Sequence, residues 1–378
     1  MMVMGNINGW SVGTFDDVLT IVNGKSQKAV QMDDGKYPIY GSGGIMGYSK
    51  DYLCPENSTI IGRKGTINNP IFVTTKFWNV DTAFGLCPNN RINAKLLYYY
   101  CRGYDFLKHN KSTTLPSLTK TDLLKIEIPL PPLQVQLRIV SKLDALFNRI
   151  DKAIALVEEN ITHAVSLQKS ISDTVFVKFS EKYGTKRLED LCNKITDGTH
   201  VTPTYVDKGI PFLSIKDMSS GVINFSDTRF ITEKEHLELT KRSKPERDDI
   251  LYSKVGTTGI AKKIDTDIEF SIFVSLALLK PKKELISPDY FELILNSPTV
   301  YAESQRRTRG VTNKNLVLTD IKEIVIPLPP RNEQNEAILY LRDIQQKHNL
   351  LLDEFKKRLL NLQQLKSSLL DSAFKGEL

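Results

Sequence analysis

One stretch of this chain occurs twice, and that repeat limits the possible folds more than any other feature. Thr121-Asp122-Leu-Leu-Lys-Ile-Glu-Ile-Pro-Leu-Pro-Pro132 returns as Thr319-Asp320-Ile-Lys-Glu-Ile-Val-Ile-Pro-Leu-Pro-Pro330, an offset of 198 residues. At the same offset Gln136 matches Gln334, and Asp173-Thr-Val-Phe176 matches Asp371-Ser-Ala-Phe374. The register holds without a gap for more than fifty residues, so the chain is built from two copies of one plan.

Each Pro-Pro opens a long helical pattern. Apolar residues fall at Val140, Leu143, Leu146, Ile150, Ala153, Val157, Ile161, Ala164, Ile171 and Val175. The second copy places Ile338, Leu341, Ile344, His348, Leu351, Phe355, Leu359, Leu362, Leu369 and Ala373 at matched positions. Steps of three and four mark a stripe close to a coiled-coil seam. Neither run contains Pro or Gly before Gly184 and Gly376, which predicts two helices of about 45 residues, each near 65 Å long. A lone helix of that length cannot leave its stripe in water, so the two copies are expected to pack on each other. About 150 residues lie between them, which excludes a short-loop hairpin and favours an antiparallel pair with a pseudo-two-fold axis.

The segments before each Pro-Leu-Pro-Pro diverge in sequence but share an order of elements. Trp10-Ser-Val-Gly-Thr-Phe-Asp-Asp-Val-Leu corresponds to Lys186-Arg-Leu-Glu-Asp-Leu, and Tyr37–Gly44 corresponds to Gly209–Lys216. Strands running into turns follow at Thr59–Thr66 and Asp249–Thr257, then strands near Asn79–Leu86 and Phe270–Leu279. Helices are expected around Ala94–Cys101 and Pro288–Asn296. The expected fold is α+β: two mixed α/β domains, residues 1–132 and 181–330, separated by two long antiparallel coiled-coil helices, 133–180 and 331–378.

Signatures of catalysis are missing. Gly41-Ser-Gly-Gly-Ile-Met-Gly47 fails the dinucleotide pattern because Met46 takes the third glycine position, and no Gly-x-x-x-x-Gly-Lys-Ser/Thr phosphate loop occurs. A glycine turn approaching a ligand or the backbone is the simpler reading. No Asn/Asp-Pro-Pro-Tyr/Phe tetrapeptide of adenine methyltransferases is present. The five histidines and four cysteines have no metal-ligand spacing, and the cysteines fit reduced thiols of a cytoplasmic protein. The opening MMVMGNINGW lacks a basic segment followed by an apolar core, and no apolar run approaches the ~20 residues of a membrane span. Net charge is +7, and residues 1–132 carry +4 of it (14 basic, 10 acidic). This balance permits nucleic-acid binding without requiring it.

Two variable domains, each ending in Ile-Pro-Leu-Pro-Pro-x-x-x-Gln and a long helix, resemble the specificity subunit of type I restriction-modification systems. The resemblance spans essentially the whole chain, and the Gly-Thr turns Lys64-Gly65-Thr66 and Val255-Gly256-Thr257 add to it. It implies a non-catalytic subunit whose two target recognition domains each read half of a bipartite sequence in double-stranded DNA. The helices would set the spacing and dock two methyltransferase subunits, and restriction/translocase subunits would complete the complex. S-adenosylmethionine, ATP and Mg²⁺ would then belong to those partners. Two other readings stay open at this point: a stand-alone DNA-modifying or DNA-cleaving enzyme, and a coiled-coil adaptor without DNA affinity.

Reading DNA needs cations against phosphate and donors or acceptors at base edges. Loops with that chemistry occur at matched places. The expected DNA-facing residues are Arg63, Lys64, Thr66, Asn68, Lys111, Ser112 and Thr113 in the first domain. In the second they are Lys254, Thr257, Thr258, Arg306, Arg307, Arg309, Thr312 and Lys314. The expected helix seam is Leu143, Leu146, Ile150, Val157 and Ile161 against Leu341, Ile344, Phe355, Leu359 and Leu362.

Overall fold

A computed structural model describes residues 9–112, 115–218, 221–311 and 313–378. The chain forms two compact units: one runs up to Glu158 and includes Lys356–Leu378, and the other is Glu159–Phe355. The division falls within the two long helices, Leu133–Tyr183 and Arg331–Phe374.

In the first unit an antiparallel four-stranded sheet has the order Leu19–Asn23, Ala83–Pro88, Ser58–Gly62, Ile71–Val73. Ser58–Gly62 is buried along its whole length, as its apolar Ile60-Ile61 centre requires. A three-stranded sheet joins Gly44–Ser49, Tyr37–Gly41 and Trp78–Asn79, the last pair parallel. The strand expected near Asn79–Leu86 is therefore two strands. Trp78–Asn79 pairs with Tyr37–Gly41, and after a turn Ala83–Pro88 pairs with Leu19–Asn23 and Ser58–Gly62, because the chain changes sheets there.

The second unit repeats the plan. Its four-stranded sheet has the order Cys192–Asp197, Leu276–Pro281, Ile250–Ser253, Ala261–Lys263. A further sheet carries Ser271–Ile272 parallel to Ile210–Leu213. The same break divides the strand expected at Phe270–Leu279.

The repeated motif performs one structural task in both copies. Glu127–Leu130 pairs antiparallel with Ser11–Thr14, and Val325–Pro327 pairs with Thr185–Arg187. Proline is tolerated at Pro129 and Pro327 because each ribbon has only two strands, leaving an edge without a ladder partner. Pro131-Pro132 and Pro329-Pro330 then stop the strand and release the long helix. The buried Gln136 Nε2 donates to the Pro131 and Arg91 carbonyls at 2.9 and 3.1 Å, while its Oε1 accepts from the Asn93 N–H. Gln334 repeats this, donating to Pro329 and Leu285 at 2.9 Å and accepting from the Ser287 N–H at 2.8 Å. Asn93 and Ser287 are the N-caps of the helices Ala94–Gly103 and Pro288–Leu295. One amide thus ties the helix start to the helix of the globular domain.

Within each unit the long helices join the domain core. In the first, Ile139, Leu143, Phe147 and Ile150 share a core with Tyr99, Tyr100, Leu370, Ala373 and Phe374. In the second, Phe176 packs with Tyr290, Ala337, Ile338 and Leu341. The second unit fixes the direction of pairing. Gln168 reaches Gln345 at 2.9 Å and Lys182 reaches Glu333 at 3.0 Å, so the later residue of one helix meets the earlier residue of the other. That is an antiparallel pair. Of the expected seam, Leu143, Ile150 and Leu341 are buried, and Leu146, Val157, Ile161, Ile344, Phe355, Leu359 and Leu362 are half-buried. Leu351 departs from the stripe: it is exposed, and its neighbour Leu352 is half-buried.

Candidate nucleic-acid interface

In each domain the structure brings the Gly-Thr turn and the later basic loop together by the same backbone bonds. The Gly65 N–H donates to the Pro116 carbonyl at 3.0 Å, and the Leu118 N–H to Arg63 at 2.9 Å. In the second domain Gly256 donates to Lys314 at 2.9 Å and Leu316 to Lys254 at 2.7 Å. Isolated bridges pair Lys64 with Ser117 and Val255 with Asn315. Gly65 and Gly256 have φ of 80° and 82°, the left-handed region, which is why glycine precedes the threonine in both turns.

The later loops are held at their bases by matched ion pairs. Lys111 meets Asp122 at 2.7 Å and Arg309 meets Asp320 at 3.0 Å. Both pairs sit at the 198-residue offset, so the acid of the repeated Thr-Asp anchors a basic residue in each domain. The Lys111 bond, with the Thr119 hydroxyl, holds the Asp122 carboxyl below its ordinary range.

The remaining expected residues divide by exposure. Lys64, Thr66, Thr257, Arg306 and Lys314 are exposed. Among the described residues, Arg306 and Lys314 form no ion pair. Arg63 is half-buried with its guanidinium 5.7 Å from the Phe84 ring centre. Asn68 is exposed but engaged, donating to Asp105 at 2.7 Å and accepting from the Phe106 N–H at 2.8 Å. The half-buried Ser112 donates its backbone N–H to Asn110 Oδ1 at 3.1 Å. Arg307 turns back onto Glu303 at 2.9 Å and the Glu323 carbonyl at 3.2 Å.

Two expected contact residues face inward instead. Lys254 is buried and paired with Asp197 at 3.0 Å. Thr258 is buried, sharing a 2.9 Å bond with the Thr308 hydroxyl and accepting from Gln305 Nε2. Of the three expected residues in the Lys254–Thr258 turn, Thr257 alone is exposed. Thr113 and Thr312 lie outside the described residues.

One feature of the surface has no counterpart among the expected residues. The Gly41–Gly44 turn closes the hairpin of Tyr37–Gly41 and Gly44–Ser49, and Ile45 and Met46 on it are exposed. The Met46 side chain lies over Gly41, as does that of Val80. An apolar pair flanked by glycines was the available signal. The described residues hold no group of three or more His, Cys, Asp or Glu placed to bind a metal ion, and no helix among them is long and apolar enough to cross a membrane.

Comparisons with known proteins agree with this duplicated plan. The family described as type I restriction modification DNA specificity domain matches residues 7–159 and 180–367. The EcoBI specificity subunit of Escherichia coli is 24% identical, over 100% of this chain and 89% of that protein. The EcoKI specificity subunit of Escherichia coli K12 is 23% identical, over 98% and 89%. The MjaVIII specificity subunit of Methanocaldococcus jannaschii is 24% identical, over 93% and 91%. A chain solved in work on complex assembly of the type I restriction-modification system superposes with a TM-score of 0.75 at 19% identity, covering 98% of this chain and 99% of its own. The HsdS subunit of Thermoanaerobacter tengcongensis gives 0.59 at 20% identity, covering 98% of each chain. With two family matches that together span most of its length, one on each globular domain and its helix, this chain belongs to the type I restriction-modification specificity subunits.

Proposed function

We propose that each globular domain reads one half of a bipartite DNA sequence, and that the long helices set the spacing and dock two methyltransferase subunits. The observation that carries this reading is the repeated joint between the Gly-Thr turn and the basic loop. One scaffold is built twice with different side chains at its rim: Lys64 and Thr66 in one copy, Thr257, Arg306 and Lys314 in the other. Cations there serve phosphate and the short polar side chains serve base edges. Chemistry falls to other subunits: S-adenosylmethionine to the methyltransferase, and ATP with Mg²⁺ to the restriction/translocase subunits.

The test uses the complex assembled with its methyltransferase subunits. Exchanging residues ~10–118 for the equivalent domain of a relative changes one half of the methylated sequence and leaves the other half unaltered. An exchange that altered both halves would mean recognition is shared across the domains. A complex that neither bound nor methylated DNA would return the chain to the adaptor reading.

A further inference from the structure

The Asp197 carboxylate closes the strand Cys192–Asp197 and is almost completely buried, its side chain only 2% exposed. Three basic residues meet it, and a fourth is bonded to the backbone of one of them. Lys254 Nζ lies 3.0 Å away, Arg242 Nη2 2.5 Å and His200 Nε2 3.2 Å, and Lys194 Nζ donates to the Arg242 backbone carbonyl at 2.6 Å. One negative charge thus meets two fixed positive charges before His200 is counted.

Burial decides how that charge is shared. Lys254 is 6% exposed at its side chain, and a buried ammonium without a carboxylate is strongly unfavourable. Asp197 is therefore matched to Lys254. Arg242 and His200 remain 57% and 60% exposed, and Lys194 is exposed as well. Among the described residues Arg242 has no acid partner besides Asp197, and Lys194 has none. The guanidinium is held by one nitrogen, leaving the rest of its donor fork free, a geometry suited to phosphate oxygens.

The cluster is continuous with the domain's turn. The carbonyl of Lys254 accepts from Leu316, and Gly256, two residues on, donates to Lys314. The first domain has no equivalent: Asn23 ends the matching strand, and Arg63 occupies the place of Lys254 without an acid partner among the described residues. Gly198, the next residue, lets the chain pass close to Ile272, since a Cβ there would lie 2.0 Å from the Ile272 carbonyl oxygen.

We propose that Asp197 is a positioning residue that holds Arg242 and His200, together with Lys194, as a phosphate-binding corner seating the DNA backbone beside the Thr257 turn. This rests on the second domain reading DNA. It adds three contacts outside the loops considered above, and they are indifferent to base sequence.

The experiment measures duplex affinity of the assembled complex against salt, on target and random DNA. Arg242→Gln is expected to weaken both duplexes alike and lower the log–log salt slope by roughly 0.9, with the methylated sequence unchanged. Lys194→Gln does the same. Lys241→Gln, one residue away on an exposed lysine paired with Glu238, leaves the slope alone. Asp197→Asn strands the Lys254 ammonium and can unfold the domain, so the paired variant Asp197→Asn/Lys254→Met tests positioning with the buried charge removed. It is expected to reproduce the slope loss of Arg242→Gln. Unchanged slopes for both Arg242→Gln and Lys194→Gln in a complex that still binds its target overturn the corner alone. A parent complex with no affinity for DNA overturns the corner together with the reading of the domain.

Discussion

Lys95 and Asp144 meet at 2.7 Å where the first domain's helix Ala94–Gly103 lies against the first long helix, and the Tyr99 hydroxyl shares the same carboxylate. The second domain builds the same joint with the signs reversed: Asp289 on Pro288–Leu295 pairs with Arg342 on the second long helix. Asp144 and Arg342 are themselves at the 198-residue offset. The reversal makes each domain fit its own helix and repel the other's, since an exchange would set Lys95 against Arg342 and Asp289 against Asp144.

Lys95→Asp is therefore expected to destabilise by about 1–2 kcal/mol, and Asp144→Lys in the same chain to recover most of the loss. Urea unfolding of the two single variants and the double variant measures the coupling. Additive losses, with no recovery in the double variant, would show that the joint is not electrostatic.

Gln136→Ala and Gln334→Ala should each be more damaging than the loss of an ordinary surface amide. Both side chains are buried, and each satisfies two carbonyls and one N–H. Leaving such groups unpaired costs about 1–3 kcal/mol or more per site. Chemical denaturation checks it, and a change below a few tenths of a kcal/mol would mean the groups find other partners.

The repeat was legible down to single bonds because it is written in consecutive residues: Gln136 and Gln334 or Lys111 and Arg309 need only the offset. Burial was not legible. Lys254 faces inward because Asp197, 57 residues away, waits there, and Thr258 because Gln305, 47 residues away, does. The helix stripe was also read too narrowly. Ile139 and Phe147 are buried beside it, since the globular domain adds Tyr99 to that flank and widens the apolar face beyond a two-helix seam.

Acid should loosen the second joint. Burial works to raise the Asp289 carboxyl, but Lys263 at 2.8 Å and the Arg342 guanidinium outweigh it and leave it below its ordinary 3.8. A carboxyl depressed in the folded state contributes stability that is complete above its unfolded value and is lost as pH falls through its folded one. The stability gap between the parent and Asp289→Asn is thus expected to be constant from neutral pH down to about pH 5, and to close below about pH 4. Urea midpoints across that range measure it. A gap that persisted undiminished at about pH 2 would contradict the depressed value.

The basic loop of the second domain offers the sharpest separation between holding and binding. Arg306, Arg307 and Arg309 look alike in sequence, yet Arg307 is tied to Glu303 and Arg309 to Asp320, while Arg306 is exposed and forms no ion pair among the described residues. A guanidinium whose charge is matched by a carboxylate of its own, as Glu303 matches Arg307, releases few counterions when DNA arrives, whereas an unmatched one releases close to a full share. Arg306→Ala should therefore lower the log–log salt slope of DNA binding by roughly 0.9 and leave thermal stability unaltered, and Lys314→Ala should behave the same way. Arg307→Ala should leave most of the slope intact and instead lower stability by about 1 kcal/mol, because Glu303 and the Glu323 carbonyl lose their donor. Salt titrations and melting curves on the same three variants decide the matter. If Arg307→Ala removed as much slope as Arg306→Ala, the ion pair to Glu303 would have to open on DNA, and the whole cluster would act as a single phosphate clamp.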